Sequence, residues 1–291
     1  MDNLENIVKG STVQTLVFDV NGTLAKDFDL FVGMAKKILG FFNSYTPFNF
    51  KIPPDEEIET FRGKSAKEVS KIILNGKGYM EPVLFGVGSA LYFFKRKEVE
   101  PHEGIVDVVN KLSDAGYEIL TLSSSGRNTI RSIANRWGLK YDGVYTSIRF
   151  KGLERLYGKH IKLKEILKER GWENNPEKVL VIADEMRDVY SCREAGVNII
   201  PVPWGYNNKE AIIRAGANQK FFPSDPYDIP NKIKLVEEGI KKGNNLPTLT
   251  EEPILTYKEL LGVGAAVAAI SGISYGAYKL RKYFSNKQTA K

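Results

Sequence analysis

The sequence predicts an α/β fold: a parallel sheet with helices on both faces, a helical insert after the first strand, and an apolar helix near the C-terminus. Three observations carry this expectation. Five short β-rich runs recur, each followed by a helix-like segment. Nearly a hundred residues separate the first run from the second, too many for a plain crossover. A 19-residue stretch without a charge, "LLGVGAAVAAISGISYGAY", occupies residues 260–278.

The predicted strands are "VQTLVFD" (13–19), "YEILTLS" (117–123), "DGVYTS" (142–147), "KVLVIAD" (178–184) and "VNIIPV" (197–202). Between them, stretches such as "GIVDVVNKLSDAG" and "KHIKLKEILKERG" repeat apolar residues every three or four positions and end in Gly, as helices often do. Alternating strands and helices imply parallel pairing, with both sheet faces covered. Residues 26–99 read mostly as helices ("LFVGMAKKILGFF", "DEEIETFRG", "SAKEVSKIIL", "GSALYFFKRKEV") and are expected to fold over the sheet's carboxyl edge. From about 231 to 258 the chain turns polar and is broken by Gly and Pro, so a linker is expected there. Residues 259–291 follow as an apolar helix with a basic tail.

Composition excludes several function classes. The net charge is +7, but Lys279, Arg281, Lys282, Lys287 and Lys291 supply five of those charges without an acid among them, so a general nucleic-acid surface is not expected. Two histidines, His102 and His160, leave little material for a multi-histidine zinc site. No "GxSxG" elbow accompanies them. A single cysteine, Cys192, allows no intramolecular disulfide and fits a reducing compartment. It reads as a small buried residue. The first ten residues show no signal-peptide pattern, so a cytoplasmic domain is expected.

Chemistry concentrates at the strand ends. The first strand ends at Asp19, the second at Ser123, and the fourth runs into "ADEMRD" with Asp184 and Asp188. Ligands of open α/β sheets bind outside the strands' carboxyl ends, so these residues should converge. Clustered carboxylates need counter-charge, because two like charges at about 4 Å repel by roughly 4 kcal/mol at an effective dielectric of 20. Mg²⁺, which prefers hard oxygen ligands, and Lys159, which precedes the fourth strand, would supply it. "Asn-Gly" at 21–22 could form a hairpin turn, but "LAKDFDLF" after it lacks a partner strand's alternation. The turn is therefore expected to lead the chain off the sheet.

"FDVNGTL", "ILTLSSS", "GKHIKLKEIL" and "KVLVIADEMRDV" stand in the order and spacing of the four motifs of the haloacid dehalogenase superfamily, which the chain resembles over about residues 10–230. The segment "EAGVNIIPVPWGYNN" is similar to that of phosphoglycolate-phosphatase-like members, and the insert with "FRGKSAKEV" resembles their type-one cap. The resemblance implies a Rossmann-like three-layer core (1–25 and 100–230), a cap (26–99) and Mg²⁺-dependent hydrolysis of a small phosphorylated metabolite. It further implies Asp19 as nucleophile, Ser123 as ligand of the phosphoryl oxygen, and Lys159 as its charge stabiliser, with Lys162 or Lys164 as the alternatives for that role. Asp19, Asp184 and the backbone carbonyl of Asn21 would hold the metal, with Asp188 in support. Ser124 reads as a bystander to Ser123. Arg62 and Lys64 are candidates to meet an anionic substrate, or else a solvated pair.

Two positions depart from the family pattern. Asn21 stands where such phosphatases carry an aspartate that protonates the leaving group, help that is typically worth about 10²–10⁴-fold. Asp27 and Asp29 are the nearest alternative acids. Ala183 replaces the usual glycine before the fourth-motif aspartate. A slow or binding-only member is the first rival reading. A 2-haloacid dehalogenase is the second, disfavoured by the acidic "ADEMRD". Residues 260–278, about 28 Å long as a helix, approach the thickness of a bilayer's hydrocarbon core. Membrane attachment is expected there, against packing on the domain as the alternative.

Overall fold

The computed structural model describes residues 10–147 and 158–250. Five strands, β1 (Thr15–Phe18), β4 (Glu118–Ser123), β5 (Gly143–Thr146), β6 (Val179–Ala183) and β7 (Asn198–Pro201), form one sheet in the order β5-β4-β1-β6-β7. Every pairing is parallel. β1 lies at the centre, flanked by β4 and β6, so the chain's progression reverses direction there and opens a crevice at its carboxyl end. The sequence-predicted strands correspond to these five with ends trimmed by a residue or two.

Side-chain alternation along the strands builds two cores. Leu16, Phe18, Ile119, Leu180 and Ile182 face one, which is closed by α5 (Ile105–Asp114) and α6 (Arg127–Trp137). Val17, Leu120, Leu122, Val179 and Val181 face the other, under α7 (Lys159–Glu169), α8 (Met186–Ala195) and α9 (Lys209–Arg214). Central strands buried on both faces read as continuous β-branched runs, which is why they were recognisable.

Between β1 and β4 the chain makes the insert: α1 (Phe28–Tyr45), α2 (Asp55–Arg62), α3 (Ala66–Leu74) and α4 (Glu81–Lys95). α3 begins at a capping box, in which Ser65 Oγ accepts from the Glu68 amide at 3.3 Å and Glu68 Oε2 accepts from the Ser65 amide at 2.8 Å. A two-residue antiparallel pair, β2 (Ala25–Lys26) with β3 (Glu100–Pro101), ties the insert's entry to its exit. So short a pair carries no signal in residue pattern. Asn-Gly does not form a β-hairpin with β1. Gly22 adopts φ +79°, and β2 pairs with β3 instead.

The linker expected from residue 231 needs correction. Ile229–Lys241 is a helix, α10, whose Ile229, Ile233 and Val236 are buried against the first core. Their spacing of four and three residues, with Ile240 next, marks one helical face within a charged segment. The chain stays on the domain through residue 250. Thr248 Oγ1 accepts from the Ile199 amide at 3.0 Å, and Leu249 is buried. No helix among the described residues is long and apolar enough to cross a membrane. The apolar run at 260–278 lies outside the described residues.

Candidate active site

The crevice at the end of β1 gathers the acidic residues. Asp19 follows β1 directly, Asp184 follows β6, and Asp188 lies in the first turn of α8; oxygens of the three lie within 4.8 Å of one another. All three are buried. Lys159, first residue of α7 and 7% exposed, bridges two of them, at 2.7 Å from Asp19 Oδ2 and 2.6 Å from Asp188 Oδ1. Lys162 is turned away to Glu165 at 2.5 Å. Asp19 Oδ1 accepts from the Val20 amide at 2.8 Å.

Asp184 is clamped from two sides, accepting from Thr23 Oγ1 at 2.5 Å and from the Tyr206 amide at 2.6 Å. Backbone presses close to it. A Cβ on Gly22 would lie 2.3 Å from Asp184 Oδ2, and one on Gly205 only 2.1 Å away. Glycine at both positions is thus a steric requirement of the carboxylate's seat. Ala183, just before it, is accommodated within β6.

Electrostatics follow from the crowding. Burial first, then the charges of Asp188 and Glu185, push the Asp19 carboxyl up to about 6 against the pull of Lys159. Burial, with Asp19 and Glu185 beside it, raises Asp184 well above the ordinary carboxylate range. Burial alone would depress the Lys159 ammonium, but Asp188 and Asp19 outweigh it and raise its pKa. Three buried carboxylates facing one lysine leave net negative charge. This oxygen-only donor set suits a hard divalent cation such as Mg²⁺.

Asn21 links the two halves of the site. Its Oδ1 accepts from Ser123 Oγ at 3.0 Å and from Ser125 Oγ at 2.7 Å. Its Nδ2 donates to Asp27 Oδ2 at 2.7 Å and to Tyr92 Oη at 2.8 Å. Asp27, fully buried, also accepts from Tyr92 Oη at 2.7 Å, from the Gly22 amide at 3.0 Å and from Tyr206 Oη at 3.1 Å. Burial raises its pKa, opposed by these donors. Asp29, the other acid near this turn, is exposed.

Not every candidate side chain reaches the crevice. Ser123 and Ser124 both line it, Ser124 Oγ lying 3.5 Å from Ser147 Oγ. Lys64 lines it too. Arg62 does not. Its guanidinium donates to the Gly205 carbonyl at 2.6 Å, pairs with Glu59 at 3.5 Å and stacks over the Phe28 ring. Asn207 Nδ2 donates to the Arg62 and Lys64 carbonyls at 3.0 and 3.1 Å, so "FRGKS" works as the seam between insert and sheet. The two histidines are used elsewhere: His102 Nε2 lies 3.0 Å from the Gly22 carbonyl, and His160 faces Glu194. Cys192 is buried, and that burial pushes its thiol pKa up.

Sequence reasoning missed Tyr92, Tyr206, Ser125 and the Glu185–Arg187 pair (2.6 Å). The three serines at 123–125 were a visible signal for Ser125. The tyrosines reach Asp27 from residues 92 and 206, far along the chain, and no local spacing announces that.

Comparison with known proteins gives the family and the fold. Residues 16–202 match the family model described as haloacid dehalogenase-like hydrolase. A phosphoglycolate phosphatase of Synechococcus elongatus is 23% identical over 211 residues, 70% of this chain and 90% of that protein. The pyrophosphatase PpaX of Bacillus pumilus is 21% identical, over 70% of this chain and 89% of its own. The crystal structure of a predicted phosphatase from Clostridium acetobutylicum superposes with a TM-score of 0.62 at 18% identity, covering 77% of this chain and 99% of that one. A hydrolase from Pseudomonas syringae gives 0.53 at 19%, with coverages of 76% and 98%. At these identities the structural likeness bears on the fold.

Proposed function

The chain belongs to the haloacid dehalogenase-like hydrolase family, and on that premise we propose that it hydrolyses a small phosphomonoester through an aspartyl-phosphate at Asp19. The observation that carries this reading is the Asp19–Lys159–Asp188 bridge at the end of β1, with Ser123 on the same crevice. The names of the relatives point to phosphate chemistry, and the acidic cluster speaks against a metal-free carbon–halogen hydrolase.

Lys159 would hold the nucleophile's carboxylate and the phosphoryl oxygens close to it, offsetting charge in a desolvated setting where such pairing is strong. Asp19 would attack phosphorus as the alkoxide leaves and takes a proton from solvent, and water would then attack the phosphorus of the acyl phosphate, giving its proton to solvent, to return the free carboxylate. Ser123 would donate to a phosphoryl oxygen. Asp19, Asp184 and Asp188, with the Asn21 carbonyl, would hold Mg²⁺, whose charge would balance the phosphoryl oxygens. Asn21 cannot exchange a proton. The nearest buried carboxyl, Asp27, touches Asn21 and not the nucleophile, which supports a slow turnover or a long-lived phospho-enzyme.

The test is phosphate release by the full chain from a panel of phosphomonoesters, with and without Mg²⁺. Release that needs Mg²⁺ and is lost in Asp19→Asn supports the reading. Retained Mg²⁺ binding without any release favours a binding role. Membrane attachment through residues 260–278 is a separate proposal, tested by flotation of the full chain with anionic vesicles.

A further inference from the structure

We infer that the substrate is a phosphomonoester of an apolar alcohol, whose organic part lies in a cavity of about 450 Å³ between the insert and the sheet. This rests on the phosphatase reading and adds a substrate class to it. The cavity is continuous with the chemistry, since Asp19, Ser123 and Lys159 line it. From there it runs between α1 and α4, where Met34 and Ile38 face Leu84, Phe85, Gly88 and Tyr92. The four on α4 recur at helical spacing, so one face of that helix is given to the cavity. Its size falls within the roughly 300–1,000 Å³ of small-molecule pockets.

Several charged groups on the wall face partners of their own, while Lys64 and Lys67 also line it near the seam. Lys36 pairs with Asp55 at 2.6 Å, Arg187 with Glu185 at 2.6 Å, and Glu81 accepts from Ser70 Oγ at 3.1 Å. Arg62, one of the two cations the sequence offered to meet an anionic substrate, is committed to the seam. A short, wholly polar phosphate ester would leave the apolar walls between α1 and α4 wet. An alkyl or aryl body would displace that water, at about fourfold in affinity per methylene buried.

The experiment measures binding of n-alkylphosphonates, methyl to octyl, to the full chain with Mg²⁺ by calorimetry, alongside kcat/KM for the matching n-alkyl phosphates. The expected result is a Kd that falls about three- to fourfold per methylene until the cavity is filled, with kcat/KM rising in parallel. Gly88→Leu should flatten that slope, because its Cβ meets only Ile38 Cδ1 at 3.9 Å and the added side chain enters the cavity. A Kd that does not fall with chain length, or no binding across the series, overturns the inference. Length-dependent binding without turnover upholds the apolar site and refutes the phosphatase reading. Turnover without length dependence does the reverse.

Discussion

The Nδ2 atom of Asn21 lies 2.7 Å from Oδ2 of Asp27, and the two form one unit spanning insert and sheet. An aspartate placed at 21 would therefore meet a carboxylate head-on, and the pair would hold one proton between them. Asn21→Asp alone should raise turnover of activated phosphomonoesters only modestly. The exchange Asn21→Asp with Asp27→Asn keeps one amide and one carboxyl in contact while moving the acid beside the nucleophile. It should raise kcat on poor leaving groups by tenfold or more, toward the about 10²–10⁴ of general acid catalysis. Steady-state kinetics of the two variants decides this. No gain in the exchange variant, with Mg²⁺ binding intact, would show that proton transfer does not limit the rate.

Lys159→Met removes the only side chain bridging Asp19 and Asp188 among the described contacts. Loss of such a charge stabiliser should cost kcat about 10²-fold or more. Leaving buried carboxylates uncompensated should also destabilise the metal-free protein by about 3 kcal/mol. Kinetics and urea unfolding read the two effects separately, and a variant with wild-type kcat would remove Lys159 from the mechanism.

Gly205→Ala places a methyl where Asp184 Oδ2 now lies. It should weaken Mg²⁺ binding at least tenfold by calorimetry while circular dichroism stays unchanged. Equal affinity would mean that Asp184 is not a ligand.

The pH dependence has a definite sign. Asp19 titrates near 6 when folded against an ordinary value of 3.8, and Asp184 is raised as well. A carboxyl raised by folding favours the folded state at low pH, and this advantage is lost as pH rises from about 4 through 6. The metal-free protein should lose stability over that window. Mg²⁺ competes with those protons, so its affinity should fall below pH 6 and its effect on Tm should be largest above it. Thermal unfolding from pH 4.5 to 8, with and without Mg²⁺, tests both. A Mg²⁺ shift that is constant with pH would contradict the cluster as its site.

Much of this was legible in the chain because parallel strands buried on both faces carry uninterrupted β-branched runs, and Asp19, Ser123 and Asp184 sit at their ends. Lys159 was separable from Lys162 and Lys164 only once α7 was seen to point it into the crevice. The Asp27 network was not legible, since Tyr92 and Tyr206 lie 65 and 179 residues further along the chain. Arg62 was misleading for a related reason: a cation in the last turn of a polar helix looks free until the Gly205 carbonyl that holds it is in view. α10 was hidden by lysines and glutamates on its outer face, although Ile229, Ile233 and Val236 marked its inner one.

The most direct test of the central claim is to trap the covalent intermediate. The full chain is mixed with substrate and Mg²⁺, quenched, and reduced with borohydride, which converts an aspartyl-phosphate to homoserine. Peptide mass spectrometry then identifies the modified position. The account predicts homoserine at residue 19 and none in Asp19→Asn. Phosphate release with residue 19 unmodified, and retained in Asp19→Asn, would contradict it.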